Sequence, residues 1–315
     1  MIRSTLRAGA LVMTLLLAVA ACSGGGATTA PTTSAPATAP PQSAAPASPT
    51  PSPDACAKEN LTLVTPGKLT VGTDNPAFPP YFAPKAGGNT APWDPAQGDP
   101  TTGEGFESAV AYAIADKLGF GKDEVAWVVV PFASSYAPGP KTFDFDVNQV
   151  SYTTDRTQTA DLSDGYYFGP QTIVTLKSSK FAKATTVTEL QAAKLGAQVG
   201  TTSYDAIINL IKPTTDPSVY DSNDAAIEAL KNKQIDAIVV DLPTADYITN
   251  VQLDGSVIVG TLDQGTPEHF SAVLAKGSSL TACVNGAIKA LTDDGTLASL
   301  TTKWLPFSGT PALKP

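Results

Sequence analysis

The stretch Asp146 to Arg156 reads D-V-N-Q-V-S-Y-T-T-D-R. Phe143, Phe145 and Val147 alternate with polar residues, the period of a half-buried strand. Asn148, Gln149, Ser151, Tyr152, Thr153 and Thr154 then put hydrogen-bonding groups at the strand tip, where a small molecule is better served than a core. Arg156 adds a planar, permanently charged fork that can hold a carboxylate with two parallel bonds. In the second half of the chain, the apolar strand from Gln234 ends on another charge, Asp241. A fixed cation and a fixed anion on one cleft suit a zwitterion, the arginine taking a carboxylate and the aspartate an ammonium. Thr202 opens a helix, where its hydroxyl and free backbone N–H groups favour the same carboxylate. Ser151 adds a hydroxyl. Phe78 can pack on the ligand body, and Asp74 points a second carboxylate inward. Taken singly, Arg156 and Asp241 each favour the plainer reading of a structural ion pair or a solvated surface charge.

The elements that would carry these groups alternate along the chain. Lys68 to Asp74 is a short strand and turn. Phe78, Tyr81 and Phe82 follow, and Pro79-Pro80 among them fixes the backbone. Residues 84–105, which include Trp93, read as a long surface loop suited to a lid. Phe106 to Leu118 has helical periodicity, with Gly119 as its stop. Strands are expected at 125–130, 143–150, 171–176, 234–241, 257–260 and 271–275, and a strand plus turn at 195–202. Helices are expected at 203–211, with Thr201 or Ser203 as cap, and at 224–232, with Ser222 or Asn223 as cap. Further helices are expected at 243–251, 280–291 and 297–305. Such alternation predicts an α/β fold with largely parallel sheets. The halves also echo each other: Lys68-Leu-Thr-Val-Gly-Thr resembles Lys194-Leu-Gly-Ala-Gln-Val-Gly-Thr, and Phe143-Asp-Phe-Asp-Val resembles Ile235-Asp-Ala-Ile-Val. Ligands of open α/β sheets sit beyond the carboxyl ends of the strands, so two facing lobes would gather four strand tips around one cleft.

With 315 residues the chain has room for about two lobes. Its net charge of −9 argues against a nucleic-acid partner, which needs a basic face. Arg3, Arg7 and the apolar run from Ala8 to Ala21 form a targeting segment, and Cys22 follows small residues. That junction resembles the bacterial lipobox, which implies cleavage of residues 1–21 and a lipid on Cys22. Residues 22–55 are a disordered Pro/Ala/Thr/Ser tether. Cys56 and Cys283 then remain as an even pair, read as a disulfide in an exported protein. Enzyme chemistry has little support. His269 is the only histidine, no Cys/His cluster has metal-ligand spacing, and no phosphate loop or nucleophile motif is present. No metal and no cofactor are expected.

One further set of residues narrows the class. Val71-Gly-Thr-Asp74 with Pro79-Pro-Tyr-Phe82, Gly105-Phe-Glu107, Val150-Ser-Tyr-Thr-Thr-Asp-Arg156, Leu162-Ser-Asp-Gly-Tyr-Tyr167, Gly196-Ala-Gln-Val-Gly-Thr-Thr202 and Ile235-Asp-Ala-Ile-Val-Val-Asp241 resemble, in order, the polar amino-acid-binding receptors of bacterial ABC importers, solute-binding family 3. The resemblance spans nearly all of residues 66–305. It implies a two-lobed periplasmic-binding-protein-like fold (type II), each lobe a sheet flanked by helices, with two hinge crossings near Tyr166 and Gly260. Lobe 1 is then 56–166 plus 260–315, and lobe 2 is 167–259. It implies a non-enzymatic, monomeric, extracytoplasmic receptor, lipid-anchored to the cell membrane, that delivers an amino acid to ABC permease subunits. A dehydratase-like enzyme on the same fold and a sensory protein without transport are the alternatives. On the family pattern Arg156 takes the α-carboxylate and Asp241 the α-ammonium, with Thr202 and Ser151 completing these shells. Phe78 stacks on the ligand, with Tyr81 and Phe82 as alternatives. Asp74 reads the distal group and favours an amide or basic side chain. Asn148 and Gln149 depart from the small residues usual there and are the places to look for specificity.

Overall fold

The computed structural model describes residues 53–315 apart from 267 and 308. The signal segment, Cys22 and nearly all of the tether therefore lie outside the described residues. Among the described residues, ten strands form two five-stranded sheets of the same design.

The first sheet contains β1 (Leu69–Thr73), β2 (Val125–Val129), β3 (Phe145–Asp146), β4 (Ala160–Gly169) and β10 (Glu268–Ala275). Its order is β2-β1-β3-β10-β4. β1 runs parallel to β2 and β3, whereas β10 is antiparallel to β3 and β4. All five residues of β1 are buried, as expected of a central parallel strand covered on both faces. The second sheet contains β5 (Gln171–Leu176), β6 (Leu195–Gln198), β7 (Ser218–Tyr220), β8 (Ala237–Asp241) and β9 (Ser256–Thr261), in the order β7-β6-β8-β5-β9. β6 is parallel to β7 and β8, and β5 is antiparallel to β8 and β9. Each sheet thus combines three parallel strands with two strands that run on into the other sheet. The chain changes sheets between Gly169 and Gln171 and again between Thr261 and Glu268. The last residues return to the second sheet, where Ala312 bridges Thr261 and Leu313 joins the core.

Among the described residues, seven α-helices complete the layers: α1 (Phe106–Lys117), α2 (Phe132–Ser135), α3 (Thr202–Ala206), α4 (Asn223–Lys231), α5 (Leu242–Tyr247), α6 (Thr281–Asp293) and α7 (Thr296–Trp304). In the first lobe, Phe106, Val110 and Ile114 of α1 and Val284, Ile288 and Leu291 of α6 pack with Val71 and Phe145. In the second lobe the two-residue period divides the sheet. Ile173 and Val239 face Ile207 and Ile211, whereas Val174, Ile238 and Val240 face Ile227, Leu230 and Ile248. Burying each such Val or Ile stabilises by about 1.5–3 kcal/mol.

Cys56 and Cys283 form a disulfide with a Cα–Cα distance of 5.4 Å, tying the start of the folded region to α6. Closing a loop across 227 positions stabilises by up to about 5 kcal/mol in the chain-entropy picture.

Candidate functional site

A cavity of about 310 Å³ lies between the carboxyl ends of the two sheets. Asp74, Phe78, Gln149, Ser151, Arg156, Thr202 and Asp241 all line it. These residues come from four separated segments, brought together because β1, β3, β6 and β8 end at the same place.

β3 contains only Phe145 and Asp146, since the chain turns away at once to form the cavity wall. Arg156 is buried at the end of that wall. Its guanidinium donates to the carbonyl of Ser151 and, at 2.8 Å, to the carbonyl of Gly200 in the second lobe. It also stacks on Tyr136, 4.6 Å from the ring centroid. Among the described residues Arg156 has no carboxylate partner within ion-pair distance. Two carbonyls and a ring hold the fork in place and leave its remaining N–H groups for an anion.

Asp241 ends β8 and serves as the N-cap residue of α5. Its Oδ1 accepts from Gln171 Nε2 at 2.8 Å. Burial, and then the nearby charge of Glu268, pushes its carboxyl well above the ordinary carboxylate range. An ammonium arriving at this carboxyl would reverse that shift, because an opposite charge favours the ionised form. Thr202 opens α3 behind the cap Thr201. Its Oγ1 lies 3.2 Å from Ser151 Oγ across the cleft and donates to Glu268.

Asp74 accepts from the backbone N–H of Asn75 at 2.7 Å and of Phe132 at 3.3 Å. Burial raises its carboxyl from the usual value. Of the three candidate aromatics, Phe82 is 1% exposed, rests edge-on against Trp127 and still touches the cavity. Tyr81 is 2% exposed and donates or accepts at Thr244 Oγ1. Phe78 lines the cavity and is partly exposed.

Two polar residues beside the cavity escape a reading of the sequence. Gln171 and Glu268 stand where the chain crosses between lobes. Gln171 Nε2 reaches Asp241, Glu268 (3.1 Å) and Thr202 (3.4 Å), while its Oε1 accepts from Ser203 at 2.6 Å. The trace in sequence is a glutamine directly after Gly169-Pro170. Among the described residues no group of three His, Cys, Asp or Glu side chains converges as a metal site would require.

Two sheets sharing two crossing segments, with a polar cavity at the strand tips, define a two-lobed solute receptor. The chain belongs to the bacterial extracellular solute-binding proteins, family 3, whose model matches residues 69–307. It is 28% identical over 241 residues to the L-cystine-binding protein TcyJ of Escherichia coli K12, covering 76% of this chain and 82% of that protein. It is 28% identical over 211 residues to the arginine-binding extracellular protein ArtP of Bacillus subtilis 168, covering 65% and 78% respectively. Among solved structures it resembles an ancestral arginine-binding protein bound to arginine, with TM-score 0.60 and 28% identity over 76% of this chain and 98% of that one. Both relatives are named as binding proteins.

Proposed function

We propose that this protein captures an amino acid between its lobes and delivers it to an ABC importer. The supporting observation is the cavity itself, in which a positioned arginine without a carboxylate partner and a cavity-lining aspartate come from opposite lobes. Arg156 receives the α-carboxylate, assisted by the hydroxyls of Ser151 and Thr202. Asp241 receives the α-ammonium. Phe78 covers the ligand body, and Asp74 and Gln149 meet its side chain. The ligands named for the relatives, cystine and arginine, are zwitterions and fit the same division of charge. Cleavage before Cys22 and a lipid on its sulfur would tether the receptor to the outer face of the membrane.

Calorimetric titration with the twenty amino acids tests the reading. At least one should bind one-to-one without turnover. Arg156→Ala and Asp241→Asn should each weaken binding by about 100-fold, since each leaves a ligand charge unpaired in a desolvated cleft, a loss of about 3 kcal/mol. Absence of binding by all twenty, or normal binding by both variants, would refute the zwitterion site. Incorporation of labelled fatty acid that disappears in Cys22→Ser tests the anchor separately.

A further inference from the structure

Gln149 has a left-handed backbone, with φ of 50°. A residue with a side chain seldom adopts that conformation unless its surroundings hold it there. What holds it is Glu107, fully buried in the first turn of α1. Glu107 Oε1 accepts the Gln149 backbone N–H at 2.8 Å. Its Oε2 accepts the Gln149 side-chain amide, and Tyr166 donates its hydroxyl to Oε1. Among the described residues no lysine or arginine pairs with Glu107. The three N–H and O–H donors are its whole compensation.

A carboxylate can only accept, so it takes the nitrogen end of the Gln149 amide. The oxygen end is left over. Among the described residues Gln149 Oε1 has no hydrogen bond, and it is not sealed off from solvent. Gln149 lines both the main cavity and the recess of about 40 Å³ that opens from it toward Asp224 and Tyr247. The cavity wall also carries Asp74, Asp221 and Asp224, besides the Arg156 and Asp241 needed for a zwitterion's backbone. The side-chain end of the site is therefore rich in acceptors and negative charge.

We propose that Glu107 is a positioning residue for specificity. By gripping Gln149 through its nitrogen, it presents an amide oxygen to the ligand. That oxygen and the aspartates left over from the zwitterion contacts select an amino acid with a cationic, N–H-donating side chain, a guanidinium or an ammonium. The proposal rests on the amino-acid reading of the cavity and adds the class of side chain to it.

The test compares L-arginine with L-citrulline, which has nearly the same shape but a neutral urea in place of the guanidinium, and with L-glutamate. Titrations at pH 8 keep Glu107 as the carboxylate, since burial raises its carboxyl to about 7. The wild-type protein should bind arginine at least about tenfold more tightly than citrulline and should not bind glutamate measurably. In Glu107→Gln the new amide can donate to Gln149 Oε1, freeing the nitrogen to turn toward the ligand. The preference for arginine over citrulline should then fall by about tenfold. Gln149→Met, which removes the acceptor and leaves Glu107 in place, should give the same loss of preference and covers the case in which Glu107→Gln folds poorly. A wild-type preference for citrulline or glutamate would overturn this proposal while leaving the amino-acid reading intact. So would variants that lose arginine and citrulline by the same factor, which is the mark of a merely structural role. Failure to bind any of the twenty amino acids would remove both readings together.

Discussion

Glu107 also gives the fold a pH dependence that can be calculated in sign. Its carboxyl has an ordinary value of 4.5, and burial lifts it to about 7 against the lowering effect of its bonds from Tyr166 and Gln149. Between those values the unfolded chain has released the proton and the folded chain still holds it. Stability therefore falls as pH rises from 4.5 to 7 and levels off above. The Glu107 share of this loss is about 3 kcal/mol. Asp146, buried in β3 with neither oxygen bonded, and Asp241 are raised mainly by burial and act in the same direction. Urea unfolding from pH 4.5 to 8 should show the decline, and Glu107→Gln, neutral throughout, should flatten it. Parallel profiles for the two proteins would contradict the assignment. At this scale the sequence is most readable where chemistry sits at a strand tip. Asp241 ends an apolar run and Arg156 follows an alternating one, and both line the cavity. Gln171, Glu268 and the grip of Glu107 on Gln149 depend on which strands and helices become neighbours, and no local spacing encodes that.

At the scale of elements, α1 depends on a glycine. Gly105 precedes the helix with φ of 92°, and a Cβ there would stand 2.5 Å from both Phe82 Cα and the Tyr81 carbonyl oxygen. That close approach lets Pro80 and Tyr81 accept the first N–H groups of α1, from Phe106 and Glu107, both at 2.9 Å. Gly105→Ala adds backbone strain to a clash with main chain and should cost about 2–4 kcal/mol, read as a lowered urea midpoint. Because Glu107 rides on the same turn, the variant should also bind more weakly. An unchanged midpoint would mean that the loop shifts freely. Most helices and buried strands lie within about three residues of the bounds their periodicity predicts, but the strand expected at 143–150 is only Phe145–Asp146. The exceptions have physical reasons. β4 carries Asp161, Ser163, Asp164 and Gly165, and it forms a strand because β10 pairs along it, with register shifts on the way. The regions 203–211 and 243–251 each begin as α-helix and finish as π-helix. The stretch 84–105 is less of an open loop than its composition suggests. Trp93 is buried, Asp99 accepts from the backbone of Thr90 and Thr101, and Asn89 donates to three carbonyls.

At the scale of the molecule, the question is what holds the lobes together over a ligand. Among the described residues, few direct bonds cross the cleft besides those made by Tyr136, Ser151 and Arg156. Tyr81 pairs with Thr244 at 3.0 Å, and Tyr247 donates to Gln97 Oε1 at 3.2 Å. Each such bond contributes about 0.5–1.5 kcal/mol net, too little to hold a two-lobed protein shut but enough to shift a poised equilibrium. Any stabilisation confined to the closed state appears in full as ligand affinity, because binding must otherwise supply the closing energy. Gln97 lies in the 84–105 segment, so this pair ties that segment to α5 of the second lobe although the segment does not line the cavity. Tyr247→Phe and Gln97→Ala should each weaken amino-acid affinity by about 2–10-fold. Since both remove one bond, the double variant should lose no more than either single change. Small-angle scattering should show the variants, when saturated with ligand, contracting as far as the wild-type protein. Additive losses in the double variant, or affinity unchanged in both singles, would show that the Tyr247–Gln97 bond is not a closing contact.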